Sequence, residues 1–128
     1  MNIKKSIVGP LFSMLLVSEM AAADWGDVYY CQMTELVKIT RDGEMTKHTL
    51  NKFQFKLDQT KNAMVFGSTG FFKDGVSELT TGSTWPSQET WRANEKYSMI
   101  SFEEGTFVYT QNGFGSGALV MSADCDKF

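Results

Sequence analysis

The chain is poor in the residues on which most enzyme and metal chemistry depends. Its 128 residues include one histidine, His48, and two cysteines, Cys31 and Cys125. A structural zinc site needs about four nitrogen or sulfur ligands, and the sequence has no C-x-x-C pair to supply them. It also lacks the Gly-x-Ser-x-Gly motif that presents the catalytic serine of many hydrolases. We therefore predict no catalytic residue, no bound metal and no cofactor, and we interpret the protein as a non-enzyme.

Basic residues are also scarce. Lysine and arginine number 12 against 15 aspartates and glutamates, which gives a net charge of −3. Affinity for nucleic acid depends on clustered lysines and arginines, so nucleic acid is not an expected partner. A basic protein surface would complement this charge better.

The main apolar run, Ile7 to Val17, is too short for a membrane span, which needs about 20 residues. It follows a pair of lysines and precedes three alanines that end at Ala23, the arrangement of a secretory signal peptide. We predict that residues 1–23 are cleaved and that residues 24–128 form one exported domain, periplasmic or extracellular. Stable membrane insertion is not expected.

The two cysteines lie near the two ends of the predicted mature domain. In an oxidising compartment an isolated pair of cysteines usually forms a disulfide, so we predict a bond between Cys31 and Cys125. This bond would close almost the whole domain into one loop, for which the chain-entropy model gives roughly 4–5 kcal/mol of stabilisation.

Turn signals such as Asp42-Gly43 and Asn112-Gly113 divide the mature sequence into short segments rich in aromatic and β-branched residues. Phe53, Phe55 and Leu57 alternate with polar residues, the pattern of a half-buried strand. Short connections leave little room for crossover helices, so the strands should be antiparallel. We predict an all-β fold, a small antiparallel up-and-down β-barrel of about eight strands whose first and last strands are joined by the disulfide. A two-sheet sandwich is the alternative.

Aromatic residues are abundant, with 3 tryptophans, 4 tyrosines and 10 phenylalanines. Many of them must form the core, but a small barrel has a limited interior, so some are expected to line an open mouth or the surface. The candidate ligand-binding residues come from the least regular stretches: Trp85, Trp91, Tyr97 and Phe114. Phe114 lies within the glycine-rich stretch 111–117, which is either a long hairpin loop with a packed phenylalanine or a binding loop that presents it.

The cysteine layout resembles that of the bacterial inhibitors of C-type lysozyme. Those proteins are small exported barrels with one cysteine in a tyrosine-rich first strand and another near the C-terminus, and Tyr29-Tyr30-Cys31 and Cys125 are similar to that arrangement. Their Ser-Gly-x-x-Tyr loop is missing, because Ser116-Gly117 is followed by Val120 where the tyrosine would stand. The resemblance implies a barrel that binds a basic hydrolase.

Three functions fit these observations. The first is a binding module for a small apolar or amphipathic ligand at the barrel mouth. The second is a protein-binding module, such as an inhibitor of a basic secreted hydrolase, for which the acidic turn Glu103-Glu104 and the Phe114 loop are the candidate surfaces. The third is an envelope structural protein without a ligand. A cavity of several hundred Å³ at the barrel end would favour the first function, and a filled core with an acidic or aromatic surface loop would favour the second.

Overall fold

The computed structural model describes residues 22–80, 90–113 and 117–128. These residues form nine β-strands joined by turns, and none of them belongs to a helix that could cross a membrane. The strands are β1 (Val28–Thr40), β2 (Met45–Lys47), β3 (Lys52–Asp58), β4 (Ala63–Phe66), β5 (Val76–Glu78), β6 (Trp91–Asn94), β7 (Ser98–Glu103), β8 (Thr106–Asn112) and β9 (Gly117–Lys127).

All strands belong to one antiparallel sheet with the spatial order β5-β4-β3-β1-β9-β8-β7-β6. The first strand, β1, pairs with the last, β9, at eleven positions. On the other side of β1, the short β2 pairs with its second half and β3 with its first half, so β2 and β3 are successive lengths of one neighbouring strand. The predicted pairing of the first strand with the last is confirmed.

The sheet curls into a nearly closed barrel. Its two outermost strands, β5 and β6, meet where the backbone amide of Thr80 donates to the carbonyl of Arg92 at 2.7 Å. The predicted all-β barrel is thus confirmed, and a single curled sheet rather than two packed sheets is present. The eight strands of the barrel path match the predicted number, and β2 is an additional short strand beside it.

The disulfide between Cys31 and Cys125 is also confirmed. The two residues are register partners of β1 and β9, and their Cα atoms are 4.0 Å apart. Antiparallel pairing alone brings the Cα atoms of opposite residues to about 4.5–5.5 Å. Strand pairing therefore places the two sulfur atoms within bonding reach before the bond forms.

The interior of the barrel is filled mainly by aromatic rings. Because side chains of a strand alternate between its two faces, every second residue of each strand points inward. Eight inward rings form a continuous cluster, with contacting ring centroids 4.6–6.2 Å apart. They are Tyr29, Phe53, Phe55, Phe66, Phe72, Phe102, Phe107 and Tyr109. Burying a phenylalanine contributes roughly 1.5–3 kcal/mol, so this cluster is the main source of stability.

The two ends of the barrel are covered differently. At the end where β1 begins, Trp25 packs edge-on against Trp91, with ring centroids 4.9 Å apart. We call this the tryptophan end. At the opposite end, the connection between β4 and β5 folds over the interior and inserts Phe72 among the core rings. We call this second end the mouth.

Candidate functional site

The mouth contains a cavity of about 430 Å³, which we call the mouth pocket. Its apolar wall is formed by Leu36, Phe71, Ala118, Leu119 and Gly117, and its polar wall by Lys38, His48, Thr49, Asn51 and Gln111. The residues come from the far half of β1, the segment after β2, the β4–β5 connection and the adjoining ends of β8 and β9. An apolar wall with a few polar groups facing it is the usual composition of a small-molecule site.

A β-bulge in β1 decides which side chains enter this pocket. Pairing of β1 with β9 shifts register between Met33 and Glu35. Before the bulge the odd-numbered residues of β1 are buried, and after it Leu36 is the buried one. An extra residue in one strand reverses the alternation of faces that follows. Without the bulge, Val37 would point into the barrel and Lys38 would point outward.

The floor of the pocket rests on the aromatic core. Leu36 is 6% exposed, and Leu119 packs against the core cluster. Phe71 lies edge-on to both Phe72 and Tyr109, with ring centroids 4.9 and 5.8 Å away. Phe71 itself is 42% exposed, so its free face remains available to a ligand. The apolar wall is therefore held in place by rings that are already packed.

Tyr109 connects the core to the polar wall. Burial raises the pKa of its hydroxyl above the ordinary value, and the charge of Glu95 raises it further. Hydrogen bonds with the side chains of Ser98 and Gln111 lower the pKa in part. Gln111 also lines the mouth pocket, so Tyr109 is a neighbour of the pocket's polar wall.

The charges of the pocket are of one sign. Lys38 lines it, and no aspartate or glutamate is among the described residues of its lining. Within the described part of the chain, the single ion pair joins Lys127 to Asp27 at 3.4 Å, at the tryptophan end. Lys38 therefore has no carboxylate partner among the described residues. The mouth is a positively charged concavity in a protein whose net charge is −3.

A second concavity, of about 410 Å³, lies on the outer surface across β9, β1 and β3. Tyr30 and Gln54 contribute to its lining, together with Lys52 and the two carboxylates Asp124 and Asp126. The two aspartates share a strand face, as expected for residues on either side of Cys125. This lining therefore carries charges of both signs, whereas the described lining of the mouth pocket contains no carboxylate.

The bulge turns Ile39 outward, where it belongs to an apolar outer surface that we call the outer stripe. It consists of Met45, Ile39, Val120 and Met99, which are 66%, 39%, 40% and 46% exposed. Met45 is the register partner of Ile39, and Thr110 lies between Val120 and Met99. Exposed apolar side chains on neighbouring strands are a common feature of interaction surfaces.

The predicted ligand-binding residues do not converge in the described structure. Trp91 packs against Trp25 at the tryptophan end. Tyr97 is 51% exposed in the turn between β6 and β7, with the amine of Lys96 5.3 Å from its ring centroid. Neither residue lines the mouth pocket. Trp85 and Phe114 lie outside the described residues, so a role for these four residues in binding stays a prediction.

Sequence reasoning missed Leu36 and Lys38 as residues of the mouth pocket because their inward orientation depends on the bulge. Strict alternation of Tyr29, Cys31 and Met33 places every odd-numbered residue of β1 inside. The available signal was the two polar residues, Thr34 and Glu35, that separate Met33 from the next buried residue, Leu36. A spacing of three between buried apolar residues in a strand indicates an inserted residue.

Comparison with known proteins gives no further guide to the site. No family model, no curated protein and no solved structure matches the chain. Among the described residues, no group of three or more histidines, cysteines, aspartates or glutamates is placed to hold a metal ion. The function must therefore be argued from the geometry of the barrel.

Proposed function

We propose that the protein is an exported binding module that holds a small amphipathic ligand in the mouth pocket. The observation that carries this proposal is the pocket itself, which has a volume of about 430 Å³. Its apolar wall is built on the core, and its opposite wall carries five polar side chains. Sites for small ligands typically measure about 300–1,000 Å³ and combine these two kinds of surface. A ligand with an apolar body and a polar end would match both walls.

The filled interior supports binding at the mouth rather than deep inside the barrel. Phe72 and Tyr109 lie directly beneath the pocket among the core rings. A ligand that entered further would have to displace packed aromatic side chains, at a cost of several kcal/mol. The ligand's apolar body should instead contact Leu36, Leu119 and the exposed face of Phe71.

A thermal-shift screen of fatty acids, sterols and aromatic compounds would test the proposal. A ligand present at a hundredfold excess over its dissociation constant should raise the free energy of unfolding by about 2.7 kcal/mol. Leu119→Gln should weaken the effect, because it places a polar group on the apolar wall. Val120→Gln is the matched control, since Val120 is the next residue and points to the outer face. No stabilising compound, or equal losses in both variants, would contradict the proposal.

The outer stripe favours a second candidate, a protein-binding module such as an inhibitor of a basic secreted hydrolase. Its exposed methionines and β-branched residues could cover an apolar surface of a partner, and the net negative charge would attract a basic one. The test is inhibition of a C-type lysozyme by the purified protein. Val120→Lys should abolish inhibition under this candidate, whereas Leu119→Gln should leave it unchanged.

A further inference from the structure

We infer that the mouth pocket selects organic anions, with the acidic head group of the ligand at Lys38 and its apolar body on Leu36, Leu119 and Phe71. This inference rests on the proposed function, because it names the class of ligand for the same pocket.

Lys38 belongs to the inner surface of the barrel only because of the bulge. It follows Leu36 by two residues on the inward face of β1, and its register partner on β9 is Leu119. The lysine stem is therefore flanked by the apolar wall, a position in which its methylene groups can be covered while the ammonium group stays hydrated. A charged group beside an apolar wall is the arrangement that an amphiphile requires.

The ammonium group of Lys38 forms no salt bridge with a carboxylate of the described residues. The part of the mouth pocket's lining that the structure describes contains no carboxylate, although acidic residues outnumber basic ones in the chain. His48 lines the same wall. A concave, partly desolvated site lined by one sign of charge concentrates ions of the opposite sign. The outer concavity lacks this property, because Asp124 and Asp126 accompany Lys52 there.

Uncharged donors complete the recognition of an acidic group. The amide of Gln111 lines the pocket and can donate hydrogen bonds to an acidic group. Thr49 and Asn51 add a hydroxyl and an amide to the same wall. Carboxylates and phosphates both accept several hydrogen bonds, and bonds to a charged group are about twice as strong as neutral ones.

The experiment compares ligands that share a ten-carbon chain and differ in the head group. Dissociation constants of decanoate, decyl phosphate, decanol and decyltrimethylammonium are measured by calorimetry with the wild-type protein and with Lys38→Gln, Lys38→Arg and Lys47→Gln. Lys47 is the control lysine, because it lies in the adjoining strand β2 and does not line the pocket. Far-UV circular dichroism and the melting temperature establish that each variant is folded.

We expect at least one of the two anions to bind roughly 10- to 100-fold more tightly than decanol, which corresponds to one charge-assisted hydrogen bond. Lys38→Gln should remove this preference and leave decanol binding unchanged, whereas Lys38→Arg and Lys47→Gln should keep it. The two anions distinguish a carboxylate site from a phosphate site. Decanol binding with no preference for anions, or a preference that survives in Lys38→Gln, would overturn this inference alone. Failure of all four compounds to bind would count against the proposed function itself.

Discussion

Removal of the Cys31–Cys125 disulfide should destabilise the protein by up to about 4.7 kcal/mol. The cysteines are 94 residues apart, and the chain-entropy relation gives about 15.7 cal/mol/K for a loop of that size, or about 4.7 kcal/mol at 25 °C. Because β1 and β9 are paired at eleven positions, the native state keeps its geometry without the bond. The effect should therefore come from the unfolded chain, which becomes free to expand.

The double variant Cys31→Ala/Cys125→Ala is the appropriate perturbation. Cys31 is 3% exposed, and a serine there would add the cost of burying a hydroxyl group. Urea unfolding followed by tryptophan fluorescence gives both the free energy and its dependence on urea. An unfolded chain without the cross-link exposes more surface, so the urea dependence of the variant should be steeper.

Two comparisons make this prediction refutable. Wild-type protein unfolded under reducing conditions should match the double variant, because both lack the cross-link. A loss below about 1 kcal/mol, with unchanged urea dependence, would mean that the ends of the unfolded chain stay close together without the bond. In that case the disulfide would not stabilise this barrel by restricting its unfolded chain.

Three further predictions concern the core, the pH dependence of stability and processing. Phe107→Ala should cost about 3–5 kcal/mol in urea unfolding, because Phe107 is 0% exposed, whereas Val108→Ala on the outer face should cost about 1 kcal/mol or less. Folding raises the pKa of Tyr109 above its ordinary value of 10.0. The contribution of Tyr109 to the free energy of unfolding is therefore complete below the ordinary pKa and is lost as the pH rises through the raised pKa. Between about pH 8 and 11, the free energy of unfolding should therefore change less with pH in Tyr109→Phe than in the wild-type protein. N-terminal sequencing of exported protein should begin at Asp24, and an intact Met1 would contradict the predicted signal peptide.

The strands with strong local patterns could be predicted from the sequence. The long first strand, the alternating strand around Phe55, and the last strand ending near Cys125 all lie where their patterns placed them. The cysteine positions indicated that the first and last strands are neighbours. These features were predictable because side-chain alternation and the positions of the two cysteines can both be read from a single sequence.

The candidate site could not be predicted, because it depends on contacts between distant segments. Alternation alone gives the wrong face for Lys38, since the bulge after Met33 reverses the pattern. Phe71 and Phe72 occur in a stretch that reads as a turn, and only the folded barrel brings them over the core rings. Strands β1 to β5 lie between Trp25 and Trp91 in the sequence, so the contact of the two tryptophans had no local signal.

The position of β1 at the centre of the sheet has a consequence for how the chain could be cut and rejoined. The ends of the domain lie side by side, since the amide of Phe128 donates to the carbonyl of Val28 at 2.8 Å. The outermost strands β5 and β6 are joined by the connection that contains residues 81–89. A circular permutant with its old ends linked and new ends placed in that connection would run from β6 to β9 and then from β1 to β5. Its strand order in space would equal its order in sequence, so every strand could pair with one already formed beside it. Such a chain has a lower contact order than the natural one and should fold faster into the same barrel.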